Sequence, residues 1–363
     1  MGDKWRLLDL GHLTAAENMA LNRVILECRS EDLIPNTMRF LQFRPHCVNL
    51  GYHQSVELEV EEEYCRAHGL DISRRITGGG NLYWDESQLG WEIYALRNTP
   101  GIPRQLEALY QRICECGVAG LKRLGIEARF RPKNDIEVGG RKISGTGGSE
   151  FGHAFLYQGT LLTDFDVNTM LAALKLPVAK LDDKAINSFR SRVICLKEIL
   201  GDNMPDISVI KKAMAEGFGE VLGITLEING LTPEEEKRLA NILPYFQSDE
   251  WIYGGREIQD NRLRVIDYKV TGGLIRVSVR VDEERELLKS VFITGDFFVY
   301  PPRAILDMEA ALKSSSIDED RIRSKVYALF DENSVRIPNM GAEDFVMAIL
   351  TAVREEKGEN AEV

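Results

Sequence analysis

The sequence has no C-x-x-C pair. Its six cysteines stand at positions 28, 47, 65, 114, 116 and 195 without regular spacing, which argues against a structural zinc site or a disulfide framework. Cys114 and Cys116 fall on a predicted helix and read as small buried thiols. No run of about 20 apolar residues occurs, and the N-terminus lacks the apolar core of a signal peptide. A cytoplasmic protein without a membrane span is therefore expected. Positive charge is also in short supply, with 45 Lys and Arg against 57 Asp and Glu and a formal charge of −12. That balance argues against general nucleic-acid binding, which depends on cations placed on phosphates. Internal repeats and low-complexity tracts are missing. So is G-x-G-x-x-G. Gly140 and Gly145 have the spacing of half a P-loop, but Thr146 stands where that motif needs lysine.

The 363 residues suit one large domain and one smaller one. A first helix is expected over 13–28, opened by a T-x-x-E capping box at Thr14 and Glu17. Strand-like runs follow at 38–44 and 47–52, then an acidic helix at 57–68, a short run at 71–77, three glycines and two more strands to residue 96. A long helical pattern covers 103–125. Short strands are expected at 129–132, 135–138, 141–145 and 155–162, with Gly139-Gly140 as a hairpin turn. A polar connection spans 178–192, and the first domain closes near residue 255. Beyond it come strands at 262–270 and 274–281, helices near 303–314, 318–330 and 341–353, and a charged, frayed end over 355–363. Strands and helices without regular βαβ alternation point to α+β with a mixed sheet, and to domains 1–255 and 256–363.

Two segments carry chemistry. In Arg74-Arg75-Ile76-Thr77-Gly78-Gly79-Gly80, consecutive glycines let a ligand touch the main chain, and an arginine offers planar donors to a carboxylate or phosphate. A plain flexible turn explains the glycines equally well. The second segment runs from Lys133-Asn134-Asp135 through Gly139-Gly140-Arg141-Lys142-Ile143-Ser144-Gly145. Between residues 122 and 142 there are seven basic side chains (122, 123, 129, 131, 133, 141, 142) and three acidic ones (127, 135, 137). This local surplus of four cations suits a pocket for anionic phosphates. The alternative is a solvated basic strand pair.

Together these residues resemble a known family. Arg74 through Asp85 is similar to the R-R-x-[ST]-G-G-G-x-x-[YF]-x-D signature of lipoate–protein ligases, which have the biotin/lipoate protein ligase fold. Asn134-Asp135 and Lys142-Ile143-Ser144-Gly145 resemble the family's N-D and K-[IV]-S-G elements. Gln158-Gly159-Thr160-Leu161-Leu162 is similar to its H-G-T-L-L strand, and Ser188 through Val193 to its S-x-R-S-R-V element. Trp251-Ile252-Tyr253-Gly254 resembles the closure of the catalytic domain. Residues 262–350 are similar in layout to the C-terminal accessory domain of the long-form ligases.

The resemblance implies an enzyme that adenylates lipoate or octanoate with ATP and Mg²⁺. It then passes the acyl group to a lysine of a lipoyl-domain acceptor: a dehydrogenase E2 subunit, a glycine-cleavage H-like protein or a dedicated lipoate-binding protein. Lys142 is implied as the catalytic residue, bridging the acyl carboxylate and the α-phosphate. Asn134, Asp135, Lys142, Ser144 and Gly145 are implied for the nucleotide, with Asp135 also on the metal. Arg75, Thr77, Gly78, Gly79, Gly80, Tyr83 and Trp84 are implied for the acyl group. Trp84 and Gln158 stand where many ligases carry His, and Gly51-Tyr52-His53-Gln54 lacks the Arg of the family's G-R-x-Q; these departures leave the acyl chain and acceptor open. Octanoyltransferases of the same fold use a cysteine nucleophile. This chain has none between Cys116 and Cys195, and Glu127-Ala128 occupy one of the two places expected for it. A biotin–protein ligase would want an arginine-rich G-R-G-R-x-G-R loop, unlike residues 75–80. A non-catalytic lipoyl-carrier-binding protein is the remaining alternative.

Overall fold

The computed structural model describes residues 3–132, 134–164, 166–175, 190–254 and 263–355. The expected connection at 178–192 lies outside them up to residue 189, and so does the charged end from residue 356. The chain forms two compact units. The first comprises Met1–Asn49, Glu59–Ile76 and Leu82–Ile252; the second comprises Leu50–Leu58, Thr77–Asn81 and Tyr253–Val363.

The first unit is built on strands β1 (Lys4–Leu13), β2 (Thr37–Phe43), β3 (Cys47–Leu50), β4 (Asp71–Arg74), β5 (Leu82–Trp84), β6 (Leu89–Leu96), β7 (Arg129–Arg131), β8 (Asp135–Val138), β9 (Arg141–Phe151), β10 (Ala154–Leu161) and β11 (Thr225–Ile228). Eight of them make one mixed sheet in the order β11-β1-β2-β6-β10-β9-β8-β7, and β4-β3-β5 make a small second sheet. Strands β1 and β11 were not expected from the sequence. β1 is parallel to both of its neighbours, so its pairing partners are distant in sequence and leave no hairpin signal. The acidic stretch expected as one helix at 57–68 is two short ones, Val56–Glu59 and Glu62–His68.

Strand alternation sends side chains to two differently covered faces. Trp91, Ile93, Phe155 and Tyr157 face a core completed by helices α2 (Leu106–Arg123) and α3 (Ile207–Leu222). Tyr94 and Leu156 face the other way, toward helix α1 (Ala15–Ser30), which is backed by helix α4 (Pro233–Phe246). The predicted capping box opens α1: Thr14 N donates to Glu17 Oε2 at 2.8 Å, and Glu17 N to Thr14 Oγ1 at 3.3 Å. The α1 face also buries a polar cluster. Arg39 on β2 lies directly opposite Glu92 on β6; their ion pair is 3.0 Å long and both side chains are 0% exposed. Asn22 Nδ2 donates to Glu92 Oε1 at 2.6 Å, Tyr94 donates to Glu92 Oε2 at 2.6 Å, and Arg39 donates to Asn18 Oδ1.

The second unit carries an antiparallel sheet of β12 (Arg264–Val270), β13 (Gly273–Asp282) and β14 (Leu287–Gly295). Helices α5 (Ala304–Leu312), α6 (Glu319–Glu332) and α7 (Ala342–Arg354) close its core through Met308, Val326, Phe345 and Ile349. No helix among the described residues is long and apolar enough to cross a membrane. The whole is α+β with a mixed sheet and a further C-terminal sheet-and-helix unit.

Removing one partner of a buried ion pair leaves an uncompensated charge. Arg39→Met should therefore lower stability by about 3–5 kcal/mol in urea unfolding. Arg44→Met, which breaks an exposed pair with Glu86 at 2.6 Å, should cost no more than about 1 kcal/mol.

Candidate functional site

The Lys142 segment is a β-hairpin. Gly139 and Gly140 both have positive φ, 57° and 82°, as a two-residue turn between antiparallel strands requires. Val138 then pairs with Arg141 and Glu137 with Lys142. The register slips by one residue, after which Ile136 pairs with Ser144 and Asp135 with Gly145. Ile143 is the extra residue of a β-bulge. Without it, positions 142 and 145 would face opposite sides of the sheet. With it, Lys142, Asp135 and Gly145 share the α1 face, while Ile136, Ile143 and Ser144 turn to the α2 core.

Lys142 Nζ lies 2.8 Å from Asp135 Oδ1 as an ion pair, with no directed hydrogen bond on that oxygen. The ammonium sits directly over Gly145: a methyl group there would lie 2.6 Å from Nζ and 2.7 Å from Cε. Gly145 N donates to Thr160 Oγ1 at 3.1 Å. The Lys142 main chain is held from outside the hairpin, its N–H donating to Arg192 O and its carbonyl accepting from Ile194 N, both at 2.9 Å. Arg192 belongs to the element resembling S-x-R-S-R-V and Ile194 follows it; residues 188 and 189 of that element lie outside the described residues.

Asn134 braces the hairpin by its own side chain, Nδ2 donating to Thr146 O at 2.6 Å, while its carbonyl accepts from Thr146 N at 2.9 Å and Oγ1 at 2.8 Å. Thr146 Oγ1 also meets the Tyr157 hydroxyl at 2.6 Å and Cys114 Sγ at 3.7 Å. The structure thus brings Lys142, Asp135 and Gly145 together and sets Asn134 beside them. Ser144 points to the opposite face, 1% exposed, its hydroxyl without a hydrogen-bond partner among the described residues. Thr146 and Thr160 were missed in the sequence, because their contacts depend on the pairing of β9 with β10.

The first signature divides between the units. In unit one, Arg74 donates to the carbonyls of Trp251 and Ile252, and Trp251 Nε1 donates back to Arg74 O at 3.0 Å. Arg75 is buried and donates to Asn49 O at 2.7 Å; burial, with the neighbouring Arg74 charge, pulls its guanidinium down to about 9. Tyr83 is buried with its hydroxyl 3.1 Å from His46 Nδ1, and burial pushes its phenol up. Trp84 packs on Phe43 with ring centroids 4.6 Å apart, its indole N–H buried and without a hydrogen-bond partner among the described residues. Thr77 and the glycine triplet belong to unit two. Gly79 N donates to Phe297 O at 3.2 Å, a side chain on Gly78 would strike that same carbonyl, and one on Gly80 would lie 3.6 Å from Asp296 Cβ. Here the close approach that the glycines permit is made by the chain itself.

All six thiols are free. Burial raises every one of them: Cys28, Cys65 and Cys114 to about 11, Cys116 and Cys47 further, and the half-buried Cys195 in the same direction. No group of three or more His, Cys, Asp or Glu could hold a metal among the described residues. Asp135 offers a carboxylate oxygen beside the lysine, a hard oxygen donor that fits Mg²⁺ arriving with phosphates of its own.

A family model described as lipoyl protein ligase A/B catalytic domain matches residues 14–219, more than half of the chain. The chain belongs to that family. It is an enzyme of the lipoate ligase and transferase group, whose work is lipoyl modification of proteins. An octanoyltransferase LipM of Kyrpidia tusciae is 29% identical over 271 residues, covering 69% of this chain and 98% of that protein. The structure of a bi-partite lipoate protein ligase from Thermoplasma acidophilum superposes with a TM-score of 0.63 at 26% identity, covering 70% of this chain and 99% of that one. LipL1 of P. falciparum, solved with lipoate, is 18% identical but shares the fold over 97% of this chain and 100% of its own, with a TM-score of 0.71.

Gly145→Ala should separate activity from folding. The added methyl meets only the end of a flexible side chain, so the thermal midpoint should stay within a few degrees. The ammonium, however, must leave its place, and acyl transfer should fall by about 100-fold, the scale of a 1 Å displacement at a reacting centre.

Proposed function

We propose that the chain is an ATP-dependent, cytoplasmic lipoate–protein ligase. It adenylates lipoate or octanoate and transfers the acyl group to a lysine on a lipoyl-domain acceptor. The observation that carries this reading over thiol-based octanoyl transfer is the placement of the cysteines: none stands between Cys116 and Cys195, and Glu127-Ala128 occupy one of the two places expected for the nucleophile. Burial also disfavours the thiolate at the six cysteines. The Lys142 hairpin supplies what adenylation needs instead. Attack of a carboxylate on an α-phosphate brings two anions together, and a compact ammonium fixed beside them stabilises the charge that develops. Asp135 would hold Mg²⁺, which neutralises phosphate charge when bound. Asn134 keeps the hairpin in register, and Gly145 leaves room for the lysine to lie flat on the strand. Arg75 would receive the acyl carboxylate. Support also comes from the structure of a lipoate-protein ligase A bound with ATP, 25% identical with a TM-score of 0.60. In the second half-reaction the acceptor amine attacks a mixed anhydride, so the enzyme contributes position, not a nucleophile. Residues 256–363 would act as the accessory domain.

Octanoyl transfer without ATP is the second reading, favoured by the name of the 29%-identical relatives. Exchange of labelled pyrophosphate into ATP decides between them. It should require lipoate or octanoate, fall by at least about 100-fold in Lys142→Ala, and persist in Cys195→Ser. Absence of acid-dependent exchange, with transfer from an octanoyl thioester abolished by Cys195→Ser, would establish the transferase.

A further inference from the structure

We propose that Arg131 is an additional anion-binding residue of this site, taking the pyrophosphate portion of the nucleotide whose α-phosphate Lys142 addresses. The proposal rests on the adenylation reading and adds a residue to it. Strand β7 is the edge of the eight-stranded sheet, and Arg131 is directly opposite Asp135, which is directly opposite Gly145. Opposed residues share a face. The next pair, Phe130 and Ile136, packs into the α2 core. Arg131 therefore projects on the same face as Asp135 and the Lys142 ammonium, two strand spacings or roughly 10 Å from Gly145.

The charges on this face are distributed unevenly. Arg129 is held by Glu137 at 2.6 Å, and Lys142 by Asp135 at 2.8 Å. Arg141, at the hairpin turn, is held by Glu198 at 2.7 Å. Arg131 is exposed and makes no hydrogen bond or ion pair with a described residue, although a carboxylate stands opposite; Lys142 already occupies that carboxylate. Among the described residues of this face, three cations (Arg129, Arg131, Lys142) thus meet two carboxylates (Asp135, Glu137), and the surplus charge rests on Arg131. A guanidinium presents paired donors in the geometry of a phosphate edge, and a polyphosphate laid along this row reaches it after passing Lys142 and Asp135.

Isothermal titration calorimetry with inorganic pyrophosphate and Mg²⁺ tests this in the full-length protein. Arg131→Gln should weaken pyrophosphate about tenfold and Arg131→Lys less, while AMP, which lacks the pyrophosphate, should bind all three proteins equally. Unchanged pyrophosphate affinity in Arg131→Gln, no pyrophosphate binding by the unmodified protein, or an equal loss of AMP affinity would each overturn the assignment. Arg131-dependent pyrophosphate binding without acid-dependent exchange would uphold the anion site and reject the ligase reading, so the two failures are distinguishable.

Discussion

Residues 142 and 145 are three apart on one strand, and an unbroken strand would aim them at opposite faces. The bulge at Ile143 removes that difference, and the arrangement of the site follows from it. Once Lys142 and Gly145 share a face, the lysine can fold along the strand only because position 145 has no side chain. Once Asp135 lies opposite Gly145, the folded lysine meets its carboxylate. The bulged residue itself adds an apolar side chain, 0% exposed, to the α2 core, so the distortion is anchored by burial. The segment through Arg192 and Ile194 fixes the main chain at the lysine's root.

The same hairpin is braced from beneath by polar groups inside an apolar core. Thr146 joins Asn134, Tyr157 and Cys114 in one buried column. Such groups are costly to bury unless paired, and here the pairing ties the β8 end of the hairpin to β10. The burial that makes this column rigid also makes Cys114 a poor nucleophile, since an apolar surround disfavours the thiolate. One physical cause therefore both supports the hairpin and disfavours the Cys114 thiolate.

Much of this was legible in the sequence, but unevenly. The turn glycines, the strands around them and the juxtaposition of Lys142 with Asp135 follow from local pattern and family resemblance. The mixed α+β character follows from the order of elements. Three things were hidden. Ser144 reads as a neighbour of Lys142, yet a bulge inside the hairpin, which strict alternation does not reveal, turns it to the core. The approach of Phe297 to the glycine triplet joins residues more than 200 apart. Strand β1 precedes the first element expected from the sequence, and β2 and β11 pair on either side of it. The last two depend on contacts between residues distant in sequence, about which local periodicity carries no information.

That distinction also ranks the two departures from the family pattern. Trp84, on β5 of the small sheet, packs on Phe43 of β2 and is 4% exposed, so its exchange for histidine is first a matter of core packing. Gln158 is placed differently. It pairs with Glu92 on one side and Gly147 on the other, which sets it on the α1 face, and it is not fully buried. Along that face the polar row runs from the buried Arg39–Glu92 pair through Gln158 to Gly147, and Gly145, Lys142 and Asp135 lie on the adjoining strands. A side chain in that row sets the polarity of the surface beside Lys142. Of the two replacements, Gln158 is the one on the face that carries Lys142 and Asp135.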